Sequence, residues 1–377
     1  MDTCTAAFEK LSAQVGGINC RNSGLVTFRS PFGLTNLTMA VIELLLIVGM
    51  VAALVHALHV RRATGDVSNL VVWGSGIVCL LLIEPVTYFP QWFGLDHSVG
   101  LTFIHNQFSV QLLFNRLPLY IVAMYPVFAC VSFAIVQRAG IVRDQRPIVA
   151  AVCVGFTYFC LFEVIDQLGP QLQWWMWSYS VRSGLPRLGA VPMSSIAGFS
   201  LAVPTGIAFF AIVMSRRSSR TVRNVVIASI ATVPVLLLGG MPSRVLEAVL
   251  STDSAGKVAT WSLLGGFGLV TLVAFAQAVR RRPVEPAPVV PGGRFAVVAV
   301  GIYLVVCAAI WVRAIPGYRD AVDGLTSAGA STGSWPMAAV AFVLSIALAG
   351  TAELVAARRH DAGVLSSAPS GPSPALA

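Results

Sequence analysis

The chain has 377 residues, of which 56% are hydrophobic and only 11% are charged, and its mean hydropathy is +0.79. So much apolar surface cannot be hidden in one water-soluble core, which excludes an ordinary soluble protein. The formal net charge of +9 comes mainly from arginines between apolar segments. This pattern is typical of membrane topology and contact with anionic membrane lipids, and it does not indicate a nucleic-acid partner.

The N-terminal residues 1–33 are mixed polar and apolar, and they lack the cationic start and apolar centre of a secretory signal. We interpret them as an extracytoplasmic arm. Cys4 and Cys20 lie in this arm and could pair if that compartment is oxidising. The other five cysteines stand singly in apolar segments, which is typical of small buried side chains.

Apolar runs of about 20 residues, the length that crosses a bilayer as a helix, recur through the rest of the chain. There are nine, near 34–60, 68–92, 117–137, 147–168, 194–215, 225–249, 258–279, 295–313 and 335–357. They are continuous rather than alternating, which favours helices over a transmembrane β-barrel. The sequence therefore predicts an all-α fold, a polytopic integral membrane helical bundle.

Arginines occupy every second connection between these runs. They occur at 61–62, 138–146, 216–223, 280–294 and 358–359. Because cationic loops stay in the cytoplasm, the pattern places the N-terminus outside and the C-terminus inside. We expect a multi-pass protein of the cell (plasma) membrane.

A proline-rich segment follows the seventh run and divides the chain. The division gives a seven-helix membrane core at 34–280, a cytoplasmic linker at 281–294 and a two-helix membrane appendix at 295–360. The last residues, 361–377, are mostly Ser, Ala, Pro and Gly, which predicts a disordered tail.

Acidic residues within the predicted spans gather toward the outer side. Glu84 precedes Pro85 near the outer end of the second span, Glu163 and Asp166 lie near the outer end of the fourth, and Glu43 lies in the outer half of the first. A charge at the bilayer centre costs at least ~2.5–3.5 kcal/mol, so such groups face a bundle interior or a wet cavity. Their common level predicts a shared acidic pocket that opens outward.

Two long outer connections, 94–120 and 169–194, are too apolar for ordinary solvated loops. We expect re-entrant or interfacial segments that fold over the pocket as a lid. The substrate-binding candidates from these connections and the adjoining third span are Asp96, His105, Asn106, Tyr125, Trp174, Trp175, Trp177 and Arg182.

Structural roles remain open for several of these residues. Trp174 and Trp175 could belong to the aromatic belt at the membrane surface. Asp166 could end its helix or pair with Arg182. Arg244 and Glu247, three residues apart in the sixth run, favour an ion pair within one helix.

A buried carboxylic acid has a raised pKa and can deliver its proton to a weak base such as an alkene. Aromatic faces can stabilise the carbocation that results. The combination predicts acid-catalysed hydration or cyclisation of an isoprenoid or other lipidic substrate. Glu84, Glu163 and Asp166 are the catalytic candidates.

Four stretches, LIEPVTYFPQWFGL, RLPLYIVAMYP, FEVIDQLGPQLQWWMWSY and GAVPMSSIAGF, resemble the membrane carotenoid-biosynthesis family that includes carotenoid hydratases. That family has an acid near an outer loop, then an acid-bearing helix leading to W-x-W, then a V-P step into the next helix. The matching residues are Glu84, Asp166, Trp175, Trp177 and Pro192. The family's G-x-Y-x-Y stretch is absent, and Asp166-Gln167 replaces its Asp-Pro pair. The resemblance implies a polyene or another isoprenoid substrate.

Two other functions remain open. Buried acids in a bundle also suit a proton-coupled transporter of a small molecule or lipid, and the two-span appendix and tail would suit a non-catalytic membrane assembly protein. Lys10 and Lys257 lie outside the spans, which excludes a retinal Schiff base. The sequence shows no zinc-ligand spacing and no haem or nucleotide motif, and it does not identify a cofactor, a metal requirement or an oligomeric state.

Overall fold

The computed structural model describes residues 3–19, 24–181, 184–250, 252–281 and 293–367. In these ranges nine helices are long and apolar enough to cross a membrane, which confirms the predicted all-α bundle. The helices are α1 (Ala6–Ser12), α2 (Leu37–Thr64), α3 (Ser68–Tyr88), α4 (Leu119–Arg138), α5 (Ile141–Asp144), α6 (Pro147–Asp166), α7 (Met193–Ser195), α8 (Val203–Arg217), α9 (Thr221–Leu250), α10 (Asp253–Arg280), α11 (Phe295–Arg319) and α12 (Trp335–Ser367).

The helix boundaries follow local sequence signals. Gly65 ends α2 in the left-handed conformation, with φ of 75°, which a glycine adopts without steric cost. Pro147 begins α6, where its missing amide hydrogen removes no helical hydrogen bond. A π-helical turn, Ile196–Ala202, joins α7 to α8 and completes one continuous span.

Helices α4 and α6 form the centre of the bundle and are almost completely buried. Helix α4 packs against α2, α3 and α6, while α6 also packs against α8, α10 and α12. Helices α9 and α10 expose most of their apolar side chains, as helices that face lipid do. The site described below is therefore built around the two most enclosed helices.

Seven short strands lie in the described parts of the connections. They are β1 (Val26–Phe28), β2 (Phe103–His105), β3 (Val110–Leu112), β4 (Leu117–Pro118), β5 (Trp175–Trp177), β6 (Arg187–Leu188) and β7 (Val191–Pro192). They pair as β1-β3-β4, β2-β5 and β6-β7, all antiparallel. The β2-β5 pair, called the aromatic ribbon below, joins the two long connections. The two connections that we expected to form a re-entrant or interfacial lid thus meet as a β-ribbon.

Arginines hold together the end of the bundle that lies opposite the aromatic ribbon. Arg359 Nη2 lies 2.7 Å from Asp144 Oδ2, and Arg138 Nη2 lies 3.0 Å from Glu353 Oε2. Burial alone would raise the pKa of Asp144, but hydrogen bonds and charges from Arg143 and Arg359 lower it overall. These pairs fasten α12 to α4 and α5, so the segment expected as an appendix packs against the core. The side chain of Arg244 lies outside the described part of the structure, so the predicted Arg244–Glu247 ion pair stays a prediction.

The terminal regions are described in part. Cys4 takes part in a disulfide, while Cys20 lies outside the described residues. Most of the predicted linker, 282–292, also lies outside them. Helix α12 continues to Ser367, into the segment expected to be a tail, and residues 368–377 are beyond the described part.

Candidate active site

A cavity of about 40 Å³ lies where α3, α4, α6 and the π-helical turn meet the aromatic ribbon. This volume has room for a few water-sized groups. Of the predicted site residues, the cavity brings together Glu84, His105, Tyr125, Asp166, Trp175 and Trp177. Its other lining residues are Phe103, Ile121, Met124, Phe162, Ser195 and Phe199.

Glu84 presents a carboxyl group from α3 and is 2% exposed. Tyr125 of α4 donates its hydroxyl hydrogen to Glu84 Oε1 over 3.1 Å. The Thr87 hydroxyl lies 2.9 Å from the backbone oxygen of Glu84 and 3.4 Å from its Oε2, so it serves mainly the backbone. Helices α3 and α4 approach closely nearby, because a Cβ on Gly76 would lie only 3.0 Å from the Cα of Pro126. This close approach lets Tyr125 reach the acid.

Asp166 is the last residue of α6 and is 1% exposed. Its Oδ2 atom has no hydrogen-bond partner among the described residues. A buried polar atom left without a partner costs about 1–3 kcal/mol, so each such atom requires an explanation. The position of Asp166 on the cavity wall makes it available to a ligand.

Glu163 does not line the cavity, although it lies one turn before Asp166. Its Oε2 accepts a hydrogen bond from Gln167 Nε2 over 2.9 Å, and its Oε1 lies 3.4 Å from the Ser200 hydroxyl. Gln167 Oε1 in turn accepts the backbone N–H of Ser334 over 2.7 Å. Glu163 thus ties α6 to the π-helical turn and to the residue before α12.

The aromatic ribbon has two different faces. His105 pairs with Trp175 and Phe103 pairs with Trp177, and the two-residue period of a strand places these four side chains on the cavity face. The intervening Ile104 and Met176 point the other way and pack in a cluster with side chains of α1 and its neighbours: Cys4, Phe8, Leu11, Val15, Ile18 and Leu101. The N-terminal arm therefore holds the ribbon from behind.

Three ring nitrogens of the ribbon are buried and have no hydrogen-bond partner in the described part of the chain. They are His105 Nε2, Trp175 Nε1 and Trp177 Nε1. His105 Nδ1 lies 3.1 Å from the Tyr120 hydroxyl oxygen. Burial lowers the pKa of His105 to about 3, so its ring is neutral at pH 7. The cavity thus has acids on its helical walls and ring nitrogens on its ribbon.

Two predicted binding residues position the ribbon instead of lining the cavity. Trp174 is fully buried, and its Nε1 donates to Thr38 Oγ1 over 2.9 Å. Asn106 Nδ2 donates to the backbone oxygen of Gln173 over 2.8 Å. Trp174 and Trp175 are both buried inside the protein, so neither occupies the belt position that we considered for them.

Asp96 is not part of the cavity. Its side chain is 47% exposed, and its Oδ2 lies 3.4 Å from Nε2 of the exposed His97. Arg182 lies outside the described residues, so the alternative in which Asp166 pairs with Arg182 stays a prediction.

Several residues that shape the site were not among the candidates from the sequence. Glu43, which we noted only as a span acid, accepts the backbone N–H groups of Ser109 at 3.1 Å and Val110 at 3.2 Å and anchors the connection that carries β2. Tyr120 stands in the same RLPLYIVAMYP stretch as Tyr125. Its position close to that candidate could have indicated its role from the sequence. Phe199 reaches the cavity from the π-helical turn, which leaves no recognisable sequence pattern.

No protein-family model, curated protein or solved structure matches this chain. The resemblance to the carotenoid-biosynthesis family therefore stays a hypothesis. Among the described residues, no group of three or more His, Cys, Asp or Glu side chains converges as metal binding would require.

Proposed function

We propose that this chain is a membrane-embedded enzyme that hydrates or cyclises an isoprenoid or other lipidic substrate by acid catalysis. One observation carries the proposal: Glu84 of α3 and Asp166 of α6 line the same cavity, among aromatic rings. Two successive proton transfers require an acid and a base that both come within hydrogen-bond reach of the reacting group. The π-helical turn beside the cavity adds support, since such turns occur frequently at functional sites.

The hydrogen bonds support different roles for the two acids. Glu84 accepts a hydrogen bond from Tyr125, as a carboxylate base does, whereas Oδ2 of Asp166 has no donor among the described residues. Asp166 gives its proton to one carbon of a double bond, and the cation forms on the other carbon. Water then adds and loses a proton to Glu84, or a second double bond closes a ring and a proton leaves to Glu84. Return of that proton to Asp166 restores the enzyme.

The cavity accommodates only the reacting segment of a long substrate, so the rest of the molecule needs another surface. An apolar groove of about 200 Å³ lies between α2, α4 and α11 and includes Gly49, Phe128 and Ala299. The ring of Phe128 meets that of Phe162, which lines the cavity, at a centroid distance of 6.1 Å. The linings of the groove and of the cavity thus meet at this pair of aromatic rings.

The test compares lipid extracts by mass spectrometry from cells with and without the gene, and from cells with Glu84→Gln or Asp166→Asn. We expect a product in the wild type and a loss of roughly 100-fold or more in either variant, the scale of general acid–base catalysis. Glu353→Gln, which removes a span acid paired with Arg138 at the far end, serves as the control and should retain the product.

The lipid profile decides between the enzyme and the alternatives once protein levels are matched. An unchanged profile on removal of the gene would contradict the proposal. If proton-coupled uptake then changed in Glu84→Gln and Asp166→Asn, the transporter alternative would replace the enzyme.

A further inference from the structure

The cavity face of the aromatic ribbon carries hydrogen-bond donors that have no partner in the described part of the chain. Trp175 is 3% exposed and His105 is 5% exposed, and Nε1 of Trp177 is likewise buried. An indole N–H can only donate. Two of the three ring nitrogens are therefore donors by their chemistry.

The hydrogen bond to Tyr120 favours the His105 tautomer that makes the third nitrogen a donor as well. The Tyr120 hydroxyl needs an acceptor, and in the described part of the chain its hydrogen-bond partner is His105 Nδ1 at 3.1 Å. When Tyr120 donates to Nδ1 of a neutral ring, the ring hydrogen resides on Nε2. The ribbon then presents three N–H groups to the cavity and no acceptor of its own.

The position of Trp175 is set by its surroundings. A Cβ on Gly169 would lie 2.3–2.6 Å from three atoms of the Trp175 ring, so the ring rests on the bare backbone of that glycine. The backbone N–H of Asn106 bonds to the oxygen of Trp174, and that of Ser178 bonds to the oxygen of Thr102, which extends the ribbon pairing at both ends. The donors are thus held in place before any ligand binds.

We propose that the aromatic ribbon binds a carbonyl oxygen, so that the substrate is an isoprenoid ketone or another carbonyl-bearing lipid. A carbonyl oxygen accepts hydrogen bonds and donates none, which matches a surface that only donates. Binding it would satisfy indole and imidazole N–H groups that are costly to leave buried without a partner. This inference rests on the proposed function, because it names the substrate class for the same cavity.

Binding of two matched probes to the full-length protein in lipid nanodiscs tests the inference. The probes are geranylacetone, an isoprenoid ketone, and its methylene analogue, in which a =CH₂ group replaces the carbonyl oxygen. We expect the wild type to prefer the ketone. Trp175→Phe and Trp177→Phe should each weaken ketone binding by roughly 2- to 10-fold, the worth of one neutral hydrogen bond, and should leave the analogue nearly unchanged.

Trp73→Phe is the matched control, because its indole N–H already bonds to the backbone oxygen of Met50 over 3.1 Å and the residue lies neither on the ribbon nor on the cavity wall. It should retain the preference for the ketone. A second readout is the infrared band of the ¹³C-labelled carbonyl, which should move to lower frequency on binding and move less in the two ribbon variants.

Equal binding of the two probes by the wild type, binding of neither, or a preference that survives both ribbon substitutions would overturn the inference. The assay measures binding and requires no turnover. A chain that binds the ketone while Glu84→Gln and Asp166→Asn leave the cellular lipids unchanged would contradict the proposed function alone. A chain that shows no preference for the ketone, while Glu84→Gln and Asp166→Asn do change the cellular lipids, would contradict the carbonyl site alone.

Discussion

His105 shows how burial decides what one side chain can do. The ring is enclosed between Tyr120 and the aromatic rings of the ribbon, with centroids 5.3 Å from Phe103 and 6.1 Å from Trp175. Desolvation lowers the pKa of His105 to about 3, well below the ~6.5 of an imidazole in water. The neutral ring is a hydrogen-bonding group at pH 7 and not a charge.

The shifted pKa of His105 predicts that acid loosens the ribbon. In an opened ribbon the solvated ring takes up a proton below pH ~6.5, whereas the closed ribbon keeps it neutral down to about pH 3. Closure therefore has its full stability above pH ~6.5 and loses about 1.4 kcal/mol per pH unit below it. From pH 7 to pH 5, hydrogen-exchange protection factors of 103–105 and 175–177 should fall roughly 30-fold.

His105→Asn provides the comparison for this pH effect, since it removes the titrating ring and keeps a polar side chain. Its ribbon should lack most of the pH dependence between 5 and 7. The same decline in the variant and the wild type would show that another group controls opening of the ribbon.

At the scale of elements, the sequence specified the spans but not the ribbon. A run of 20 apolar residues is a local property, and all nine predicted runs correspond to helices in the described part of the chain. The pairing of β2 with β5 joins His105 to Trp175, residues far apart in the chain, and no local pattern sets that register. Composition therefore singled out the two connections that carry the ribbon, while their conformation depended on long-range contacts.

The same distinction applies to the acids. The cost of burying a charge made Glu84, Glu163 and Asp166 stand out in the sequence. Glu163 and Asp166 lie three residues apart on α6. The rotation of α6 against its neighbours decides which of them reaches the cavity, and packing sets that rotation. The structure places Asp166 on the cavity wall and Glu163 in the network with Gln167 and Ser200.

The groove between α2, α4 and α11 gives a prediction at this scale. Ala299 lines the groove, and Ala299→Phe would fill part of its volume of about 200 Å³ without touching the acids. If the groove holds the substrate chain, product formation should decline several-fold with little change in thermal stability. Val270→Phe adds the same ring on the lipid-facing side of α10, where Val270 is 37% exposed, and should have no effect. Equal activity of the two variants would exclude the groove.

At the scale of the whole molecule, the two ends of the bundle differ in chemistry. One end carries the arginine pairs around Asp144, and the other carries the cavity, the ribbon and the N-terminal arm. Helix α6 connects them, running ~30 Å from Pro147 to Asp166. Arginine-rich ends stay in the cytoplasm, so the sequence predicts that the cavity lies toward the outer side, near the surface where lipid head groups meet water.

Solvent deuterium tests the central claim, that Glu84 and Asp166 act together in proton transfer to carbon. The purified protein in D₂O is incubated with a lipid extract from cells that lack the gene, and the lipids are analysed by mass spectrometry. Wild-type protein should place deuterium on a carbon of one lipid species, where washing with ordinary water does not remove it, and Glu84→Gln and Asp166→Asn should not. Wild-type protein that leaves every lipid free of carbon-bound deuterium would contradict the account.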